Sequence, residues 1–269
     1  MPVKQRLPIL AYHSIDEFGT SISVSPESFR RQMQWFADRG WSTLGLADAA
    51  QRLRTGASIP PRSFVLTFDD GMPSLLGEAA PVLAEHGFAA TTFVVTGLVG
   101  CKPDWYRMPG PYRATSLLDR GGLEKLAAMG WELHPHTHDH PVLSHLSLDL
   151  QSEQIGRSRS LVREWFGQDA GVLAYPFGQL NDDTKIAMRQ CGMSAGLTLT
   201  FGSRHSPADP YAWARIGSAW FKGSNLRQHL AVTGWLERYV ALRTLVKKGR
   251  SQHFQTPTTE TTRGLRSAD

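Results

Sequence analysis

The chain is poor in cysteine and has no long apolar run, and both absences narrow the kinds of protein that it can be. Its 269 residues include two cysteines, Cys101 and Cys191, which are too few for a disulfide framework or a cysteine-based zinc site. A membrane-spanning helix needs a run of roughly 18 or more apolar residues, and the sequence has none. The first residues also lack the long apolar core and small-residue cleavage site of a signal peptide. The sequence therefore predicts a cytoplasmic protein with no transmembrane segment.

The net charge of +5 is concentrated near the C-terminus. Residues 241–269 contain six lysines and arginines against two acidic residues, which leaves a net charge of +1 for residues 1–240. No stripe of basic and aromatic side chains elsewhere indicates a nucleic-acid surface. Nucleic acid is therefore not expected as a partner.

The order of predicted strands and helices indicates an α/β protein. Segments with strand-like composition alternate with segments of helical periodicity, as expected for parallel βαβ units. No repeat of fixed period is visible. Seven segments are predicted as strands, one fewer than a complete eight-fold barrel needs: 9–15, 64–68, 90–95, 131–133, 172–175, 194–198 and 214–219.

Three regions follow from composition and periodicity. Residues 1–223 form the predicted α/β domain, and residues 249–269 form a predicted disordered tail because they are polar, threonine-rich and without periodicity. Between them, residues 224–248 place basic residues between apolar ones, which predicts a basic amphipathic helix. This helix would either close the α/β domain or associate peripherally with a membrane or a partner glycosyltransferase.

Two adjacent carboxylates stand at the end of an apolar strand. Phe64–Phe68 is followed directly by Asp69, Asp70 and Gly71, at the carboxyl end of a strand where α/β folds collect their chemistry. Two adjacent carboxylates repel each other when both are ionised, so a nearby cation is needed to stabilise both charges. We interpret one as a metal ligand and the other as a group that handles protons, although the residues alone also fit a strand-ending turn.

A cluster of histidines follows another predicted strand. Half of the ten histidines lie within twelve residues, namely His134, His136, His138, His140 and His145. Neutral imidazoles suit Zn²⁺, Ni²⁺, Co²⁺ or Fe²⁺, so two histidines and a distant Asp predict a divalent-metal site. Spacing alone leaves the pairs 134/138 and 136/140 and alternating ligands open. One Asp and two His leave open coordination positions, and such a site hydrolyses amides or esters with a metal-activated water while the second Asp acts as general base.

Three segments in this order resemble the polysaccharide deacetylases of carbohydrate esterase family 4, the NodB homology domain. The resemblance covers about residues 7–217 and is strongest to the poly-N-acetylglucosamine deacetylase branch, which shares the Tyr12-His13-Ser14-Ile15 opening. The motifs are Thr67-Phe68-Asp69-Asp70-Gly71, His136-Thr137-His138-Asp139-His140-Pro141 and Ala174-Tyr175-Pro176-Phe177-Gly178.

The resemblance implies a distorted (β/α)7 barrel, an incomplete TIM-like barrel, with a metal site at the C-terminal face of the sheet. It implies that Asp70, His136 and His140 hold the ion, usually zinc, and that Asp69 is the catalytic base. It also implies that the backbone N–H of Phe177, after Pro176, helps to stabilise an oxyanion. Tyr175 and Phe177 would shape the floor of the groove.

Two family features are missing from the motifs, and we assign replacements for them. The family's third motif often begins with an arginine that orients the base, where this chain has Leu173-Ala174-Tyr175. We expect Arg215, near the last strand, to supply that charge. The late histidine that serves as general acid is also not evident, and His13 is better placed than His229 to donate a proton to the leaving amine.

The resemblance and the residues together imply a metal-dependent hydrolase that removes N-acetyl groups from an amino-sugar polymer or oligosaccharide. Two alternatives remain open at this point. The same metal site could act on O-acetyl esters or small amides, or the chain could be a glycan-binding homologue that has lost catalysis.

Overall fold

The computed structural model describes residues 5–105, 108–220, 229 and 232–234. The predicted helix 224–248 lies almost wholly outside the described residues and the predicted tail 249–269 lies entirely outside them, so the three-region organisation stays a prediction. None of the helices in the described ranges is long and apolar enough to cross a membrane.

Twelve strands and seven α-helices occur in the described ranges. The strands are β1 (Gln5–Arg6), β2 (Ile9–Tyr12), β3 (Ser14–Ile15), β4 (Ser23–Val24), β5 (Ser42–Thr43), β6 (Ser63–Phe68), β7 (Thr91–Val94), β8 (Glu132–Pro135), β9 (Val172–Ala174), β10 (Ala195–Leu197), β11 (Arg204–His205) and β12 (Ile216–Gly217). The α-helices are α1 (Pro26–Ala37), α2 (Leu46–Thr55), α3 (Ala80–Glu85), α4 (Gly110–Arg113), α5 (Arg120–Ala128), α6 (Leu148–Phe166) and α7 (Asp182–Gln190).

The sheet is parallel, as the alternation of strands and helices predicts. Strands β12, β2, β6, β7 and β8 are neighbours in that order, and β5 pairs with the first residues of β6. Strands β9 and β10 form a separate parallel pair, and only β1 and β11 pair in the antiparallel sense among the described strands. Each of the seven predicted strand segments overlaps an observed strand. The α/β class is therefore confirmed, while closure into a (β/α)7 barrel stays a prediction.

Strand β6 is the centre of the sheet, and its composition explains why. All six of its residues are buried. A parallel strand that is covered by helices on both faces needs apolar residues at nearly every position, and Phe64-Val65-Leu66 is such a run. Phe64 stacks on Phe36 of α1 with ring centroids 4.2 Å apart, and Phe68 packs against Tyr12 and Trp131 at 5.5 and 5.2 Å. The strand that carries Asp69 and Asp70 at its end is thus anchored in the core near both of its ends.

The helix boundaries coincide with capping residues in the sequence. Ser25 caps α1 by accepting the N–H of Ser28, with Pro26 at the first helical position. Ser147 caps α6 in the same way, and Gly167 ends it with a left-handed φ of 66°.

Two local features are more detailed than the sequence predicts. The segment 73–86, whose sequence predicts helical structure, is helical in two parts, a π-helical turn over Leu75–Ala79 and then α3. Pro81 lies in the first turn of α3 and has no N–H to donate, so the regular α-helical ladder is interrupted there. Five two-residue strands, β1, β3, β4, β5 and β11, were not recognised as separate elements, because two residues carry no alternation of polar and apolar positions.

Replacing Phe64 with alanine should lower the free energy of unfolding by about 3–5 kcal/mol, because Phe64 is fully buried and its stacking partner Phe36 would line the resulting cavity. Urea denaturation at neutral pH measures the change. The matched control is Met129→Ala, whose side chain is 61 % exposed and whose loss should cost about 0.5 kcal/mol or less. A loss below about 1 kcal/mol for Phe64→Ala would contradict the central place of β6 in the core.

Candidate active site

The predicted site residues meet at the carboxyl edge of the parallel sheet. His13 follows β2, Asp69 and Asp70 follow β6, His136 follows β8, and Phe177 lies shortly after β9. Parallel strands bring all of their carboxyl ends to one edge, where loops can place polar groups without disturbing the core. The fold therefore collects these side chains from distant parts of the sequence.

Asp69 forms a buried, bidentate ion pair with Arg215. The two guanidinium nitrogens donate to the two carboxylate oxygens at 2.6 and 2.7 Å, and both side chains are at most 2 % exposed. Arg215 also donates to the hydroxyl of Thr67 at 3.2 Å and to the carbonyl of Thr198 at 3.1 Å. These bonds fix the orientation of the guanidinium, and through it that of Asp69.

The ion pair sets the protonation state of Asp69. Burial alone would raise the pKa of this carboxyl, but the charge and hydrogen bonds of Arg215, with His136 and His13 nearby, outweigh burial and hold the pKa well below its usual range. Asp69 is therefore a carboxylate throughout the neutral pH range.

Asp70, His136 and His140 form a compact set of metal-ligand atoms. Oδ1 of Asp70 lies 3.5 Å from Nε2 of His136 and 3.5 Å from Nε2 of His140, and the three residues are buried. Ligand atoms placed tetrahedrally about 2 Å from an ion lie roughly 3.3 Å apart. Oδ1 of Asp70 is buried and has no hydrogen-bond partner among the described groups, although such an atom is costly to leave unpaired. The donor set and this oxygen fit a divalent ion.

The pKa values of the two histidines beside Asp70 are shifted in opposite directions. Burial raises the pKa of Asp70, but the neighbouring imidazoles of His136, His13 and His140 outweigh it and lower the pKa. Burial lowers the pKa of His136, but the two carboxylates overcome it and raise that pKa. For His140 burial prevails and lowers the pKa to about 3. His140 is therefore a neutral imidazole at neutral pH, the form in which histidine binds metals.

The second nitrogen of each histidine has a different environment. Nδ1 of His136 donates to the carbonyl of Ala174 at 2.7 Å, which fixes the tautomer and turns Nε2 towards Asp70. Nδ1 of His140 is buried without a hydrogen-bond partner among the described groups. Its ring is held by packing instead, stacked on Trp105 at 4.1 Å and in edge contact with Phe177 at 5.0 Å.

Left-handed backbone is concentrated at this site. Of the six non-glycine residues with positive φ in the described ranges, four belong to the site: Asp70 (75°), Thr137 (67°), His140 (58°) and Phe177 (58°). Each such residue costs of order 1–3 kcal/mol and persists only where its surroundings over-determine it. The surrounding contacts therefore hold the ligand-bearing turns in shapes that an isolated peptide would avoid.

An open cleft of about 340 Å³ leads to these residues. Its volume lies within the usual range for small-ligand sites. Its walls are Ala11, His13, Ser21, Ile22, Asp69, Asp70, Trp105, Met108, Pro109, His136, His140, Phe177, Leu199, Gly217, Ser218 and Ala219. Among the described residues of this lining, the histidines and the two adjacent aspartates are the only ones with ionisable side chains.

The structure brings most of the sequence-predicted site residues together. His13 lines the cleft with its Nε2 3.8 Å from Oδ2 of Asp69, and its side chain is 20 % exposed. Of the five clustered histidines, His136 and His140 are the two that meet Asp70. His134 instead contacts Glu132, with Nε2 3.3 Å from a carboxylate oxygen, and accepts the N–H of Val172.

Tyr175 and Pro176 are placed differently from the prediction. The ring of Tyr175 is fully buried, and its hydroxyl donates to the carbonyl of Tyr211 at 2.8 Å. Neither Tyr175 nor Pro176 lines the cleft, whereas Phe177 does. The expectation that Tyr175 shapes the floor of the groove is therefore corrected, because the side chain after β9 points into the core cluster around Met188.

Trp105 is a cleft residue that sequence reasoning did not single out. It lies in the long irregular connection between β7 and α5, where no periodicity indicates which side chains turn inward. The sequence shows only that Trp105 is an aromatic residue in a glycine- and proline-rich loop. This does not indicate that Trp105 stacks on His140.

The sequence and the fold of this chain are similar to those of known proteins. Residues 57–196 match the sequence model of the polysaccharide deacetylase family. The candidate polysaccharide deacetylase YxkH of Bacillus subtilis is 29 % identical over 211 residues, which cover 78 % of this chain and 71 % of that protein. A poly-β-1,6-N-acetyl-D-glucosamine N-deacetylase of Staphylococcus epidermidis is 28 % identical over 203 residues, or 72 % of this chain and 67 % of that protein. The solved structure of the Streptococcus pyogenes deacetylase PplD in complex with acetate is 26 % identical and has a TM-score of 0.70, covering 81 % of this chain and 93 % of that one.

Replacing Arg215 with methionine should destabilise the metal-free protein by about 3–5 kcal/mol at neutral pH, because Asp69 would be left as an unpaired buried charge. The folded-state pKa of Asp69 is depressed, so its stabilising contribution is present above the unfolded pKa of about 3.9 and is lost as the pH falls through the folded-state value. The variant has no such contribution to lose, so the difference between the two proteins should narrow on acidification. Urea denaturation at a series of pH values measures it.

The control for this prediction is Lys185→Met. Lys185 pairs with Asp209 at 2.7 Å, but the two side chains are 29 % and 43 % exposed, so its loss should cost at most about 1 kcal/mol. Equal, pH-independent losses in the two variants would contradict the assignment of Arg215 as the group that keeps Asp69 ionised.

Proposed function

The chain belongs to the polysaccharide deacetylase family, and from this membership we propose that its site removes N-acetyl groups from an amino-sugar polymer or oligosaccharide. Family membership makes the chain a hydrolase that acts on carbohydrate. The observation that carries the finer proposal is the division of labour between two adjacent carboxylates. Asp69 is paired with Arg215, and Asp70 faces His136 and His140.

We propose that Asp70, His136 and His140 hold a divalent ion. Two imidazoles and one carboxylate suit Zn²⁺ and also Ni²⁺, Co²⁺ or Fe²⁺. The ion, when bound, supplies a Lewis acid for a carbonyl oxygen and lowers the pKa of water. The unpaired oxygen of Asp70 supports this proposal, since a buried carboxylate oxygen without a donor is otherwise unexplained.

Asp69 is the proposed proton acceptor of the reaction. Its carboxylate lines the cleft beside Asp70, and Arg215 keeps it ionised at neutral pH. A carboxylate with a low pKa is a weak base, so it can take a proton only from a water molecule that is itself acidified. The proposed base and the proposed metal site therefore depend on each other.

His13 is the proposed proton donor to the leaving nitrogen. An amide releases its amine only when the nitrogen is protonated, whereas acetate departs with the oxygen that comes from water. His13 lies at the cleft with Nε2 3.8 Å from Oδ2 of Asp69, so the proton taken by Asp69 has a short route back to the substrate. The net reaction converts an amide and one water molecule into acetate and an amine.

Phe177 is the proposed source of the backbone N–H that stabilises negative charge on the carbonyl oxygen. It lines the cleft next to His140 and has a left-handed φ of 58°. Strained backbone of this kind occurs at sites where a main-chain group must be aimed at a ligand.

The cleft also supports an uncharged, N-acetylated glycan as the substrate. Away from the site residues its lining consists of Trp105, Ile22, Met108, Leu199 and other uncharged groups. The described part of that lining places no lysine or arginine where it would attract an acidic polymer. A panel of chitooligosaccharides, acetylated xylan and small amides, monitored for acetate and amine, separates N-deacetylation from the ester and small-amide alternatives.

Asp69→Asn should reduce turnover at least about a hundredfold while leaving the metal content close to that of the wild type, because it removes the proton acceptor and keeps all three proposed metal ligands. Asp70→Asn is the matched variant, and it should lose both metal and activity. Acetate release and elemental analysis on purified proteins, with folding checked by circular dichroism, give the two quantities.

Chelator-treated wild type serves as the reference for this pair and should regain activity with Zn²⁺ or Co²⁺. Asp69→Asn with near-normal turnover would show that another group is the base. If the wild-type protein released acetate at full rate after chelation, the proposal that the reaction needs a metal ion would be wrong.

His13→Asn should lower turnover of an N-acetylated oligosaccharide about a hundredfold or more. An activated aryl acetate should be affected far less, because its phenolate leaves without a proton. The matched control is the exposed His145→Asn, which should leave both rates unchanged. Equal losses on the two substrates would mean that His13 does not protonate the leaving group.

A further inference from the structure

Helix α6 presents two polar side chains to the segment that carries both histidine ligands. Gln154 and Ser158 are one helical turn apart, so they lie on the same face. Ser158 is fully buried, in a position where the helical pattern would ordinarily place an apolar residue. A buried hydroxyl there requires a partner, and the partner is the backbone of residues 136–140.

The two side chains bind three successive residues of that segment. The hydroxyl of Ser158 donates to the carbonyl of Thr137 at 2.9 Å. Oε1 of Gln154 accepts the backbone N–H of His138 at 3.2 Å and that of Asp139 at 2.9 Å. Nε2 of Gln154 donates to Oδ2 of Asp139 at 2.7 Å. Residues between the two ligands are thus tied to one helix.

The short turn Thr96–Leu98 also binds the same segment. The N–H of Thr96 donates to the carbonyl of Thr137 at 3.3 Å, and that of Gly97 donates to the carbonyl of His138 at 2.8 Å. A Cβ at position 97 would lie 2.8 Å from the carbonyl oxygen of His138, so the two backbones approach as closely as glycine permits. The ligand segment is therefore bonded to a tight turn as well as to α6.

These contacts matter because the segment has an unfavourable shape. Thr137 and His140 have φ values of 67° and 58°, in the region that non-glycine residues rarely adopt. Within the segment, the hydroxyl of Thr137 accepts the N–H of His140 at 3.1 Å. If the bonds to α6 were lost, the turn could relax towards negative φ, and Nε2 of His140 would move away from Nε2 of His136 and from Asp70.

We propose that Gln154 and Ser158 are positioning residues of the metal site, which set the spacing of His136 and His140 and thereby the affinity for a divalent ion. They act through the backbone of the ligand segment and touch neither the ion nor the substrate. The inference rests on the proposed function, because it takes Asp70, His136 and His140 as the ligands.

The test measures metal affinity directly. Zinc dissociation constants of metal-free wild type, Ser158→Ala, Gln154→Ala and the double variant are determined by competition with a chromophoric chelator. Removal of groups that orient metal ligands weakens binding about 10-fold to 100-fold, and we expect each single variant near the lower figure and the double variant near the upper one. The visible absorption of the Co²⁺-loaded proteins should change as well, because it reports ligand geometry.

The control is Ser152→Ala on the same helix. Its hydroxyl bonds to Gln190 of α7 at 3.0 Å and has no contact with the ligand segment, so zinc affinity and the cobalt spectrum should match the wild type. Thermal unfolding of the metal-free proteins is recorded alongside. Gln154 is only half-buried, so Gln154→Ala keeps the test valid even if Ser158→Ala perturbs folding.

The outcomes separate the inference from its premise. Zinc affinities within twofold of wild type for both single variants and the double variant, with only a lower unfolding temperature, would overturn the positioning role and leave the metal site intact. Wild type that binds no zinc, or binds it equally well after His136→Ala, would overturn the proposed function itself. Weakened zinc binding with an altered cobalt spectrum supports the inference.

Discussion

A carboxylate that is excluded from water must be compensated, and in this protein Arg215 compensates Asp69. The two residues are 146 positions apart in the chain, yet their side chains form two short parallel hydrogen bonds in a fully buried setting. Arg215 gains further partners from Thr67 of β6 and from Thr198 just beyond β10. The pair thus joins the central strand to the last part of the sheet. Its energetic value lies less in net stabilisation than in the penalty for breaking it, since either partner alone would be a buried, uncompensated charge.

With Asp69 neutralised by Arg215, its neighbour Asp70 can serve a different purpose. The positive φ of Asp70 turns the chain sharply after β6, so the adjacent carboxylates face different partners. One carboxylate is bound by a fixed guanidinium, and the other lies 3.5 Å from two imidazole nitrogens. Identical side chains therefore acquire distinct chemistry from their surroundings alone. The same logic separates the histidines, because His136 has a carbonyl partner for its second nitrogen while His140 is held by aromatic packing.

The parts of this site that could be predicted from the sequence are those encoded by neighbouring residues. Asp69, Asp70, His136 and His140 stand in short motifs at strand ends, and the parallel order of β6, β7 and β8 follows from the alternation of strands and helices. Contacts between distant segments are less visible. Nothing in the sequence indicates that Trp105 stacks on His140, or that the ring of Tyr175 turns into the core while the next residue but one reaches the cleft. The π-helical turn before α3 depends on one missing N–H at Pro81, an effect that apolar periodicity does not register.

The distance along the chain between Asp69 and Arg215 has a consequence for how the protein acquires its activity. During synthesis, β6 and its two aspartates leave the ribosome long before residue 215, so an early intermediate contains the carboxylates without their cation. Long-range contacts of this kind form late, because a large loop must close before they contribute. A chain that has folded through β9 alone would hold Asp69 either protonated or exposed to water. The buried ion pair that keeps Asp69 ionised is therefore completed only after residue 215 has joined the fold.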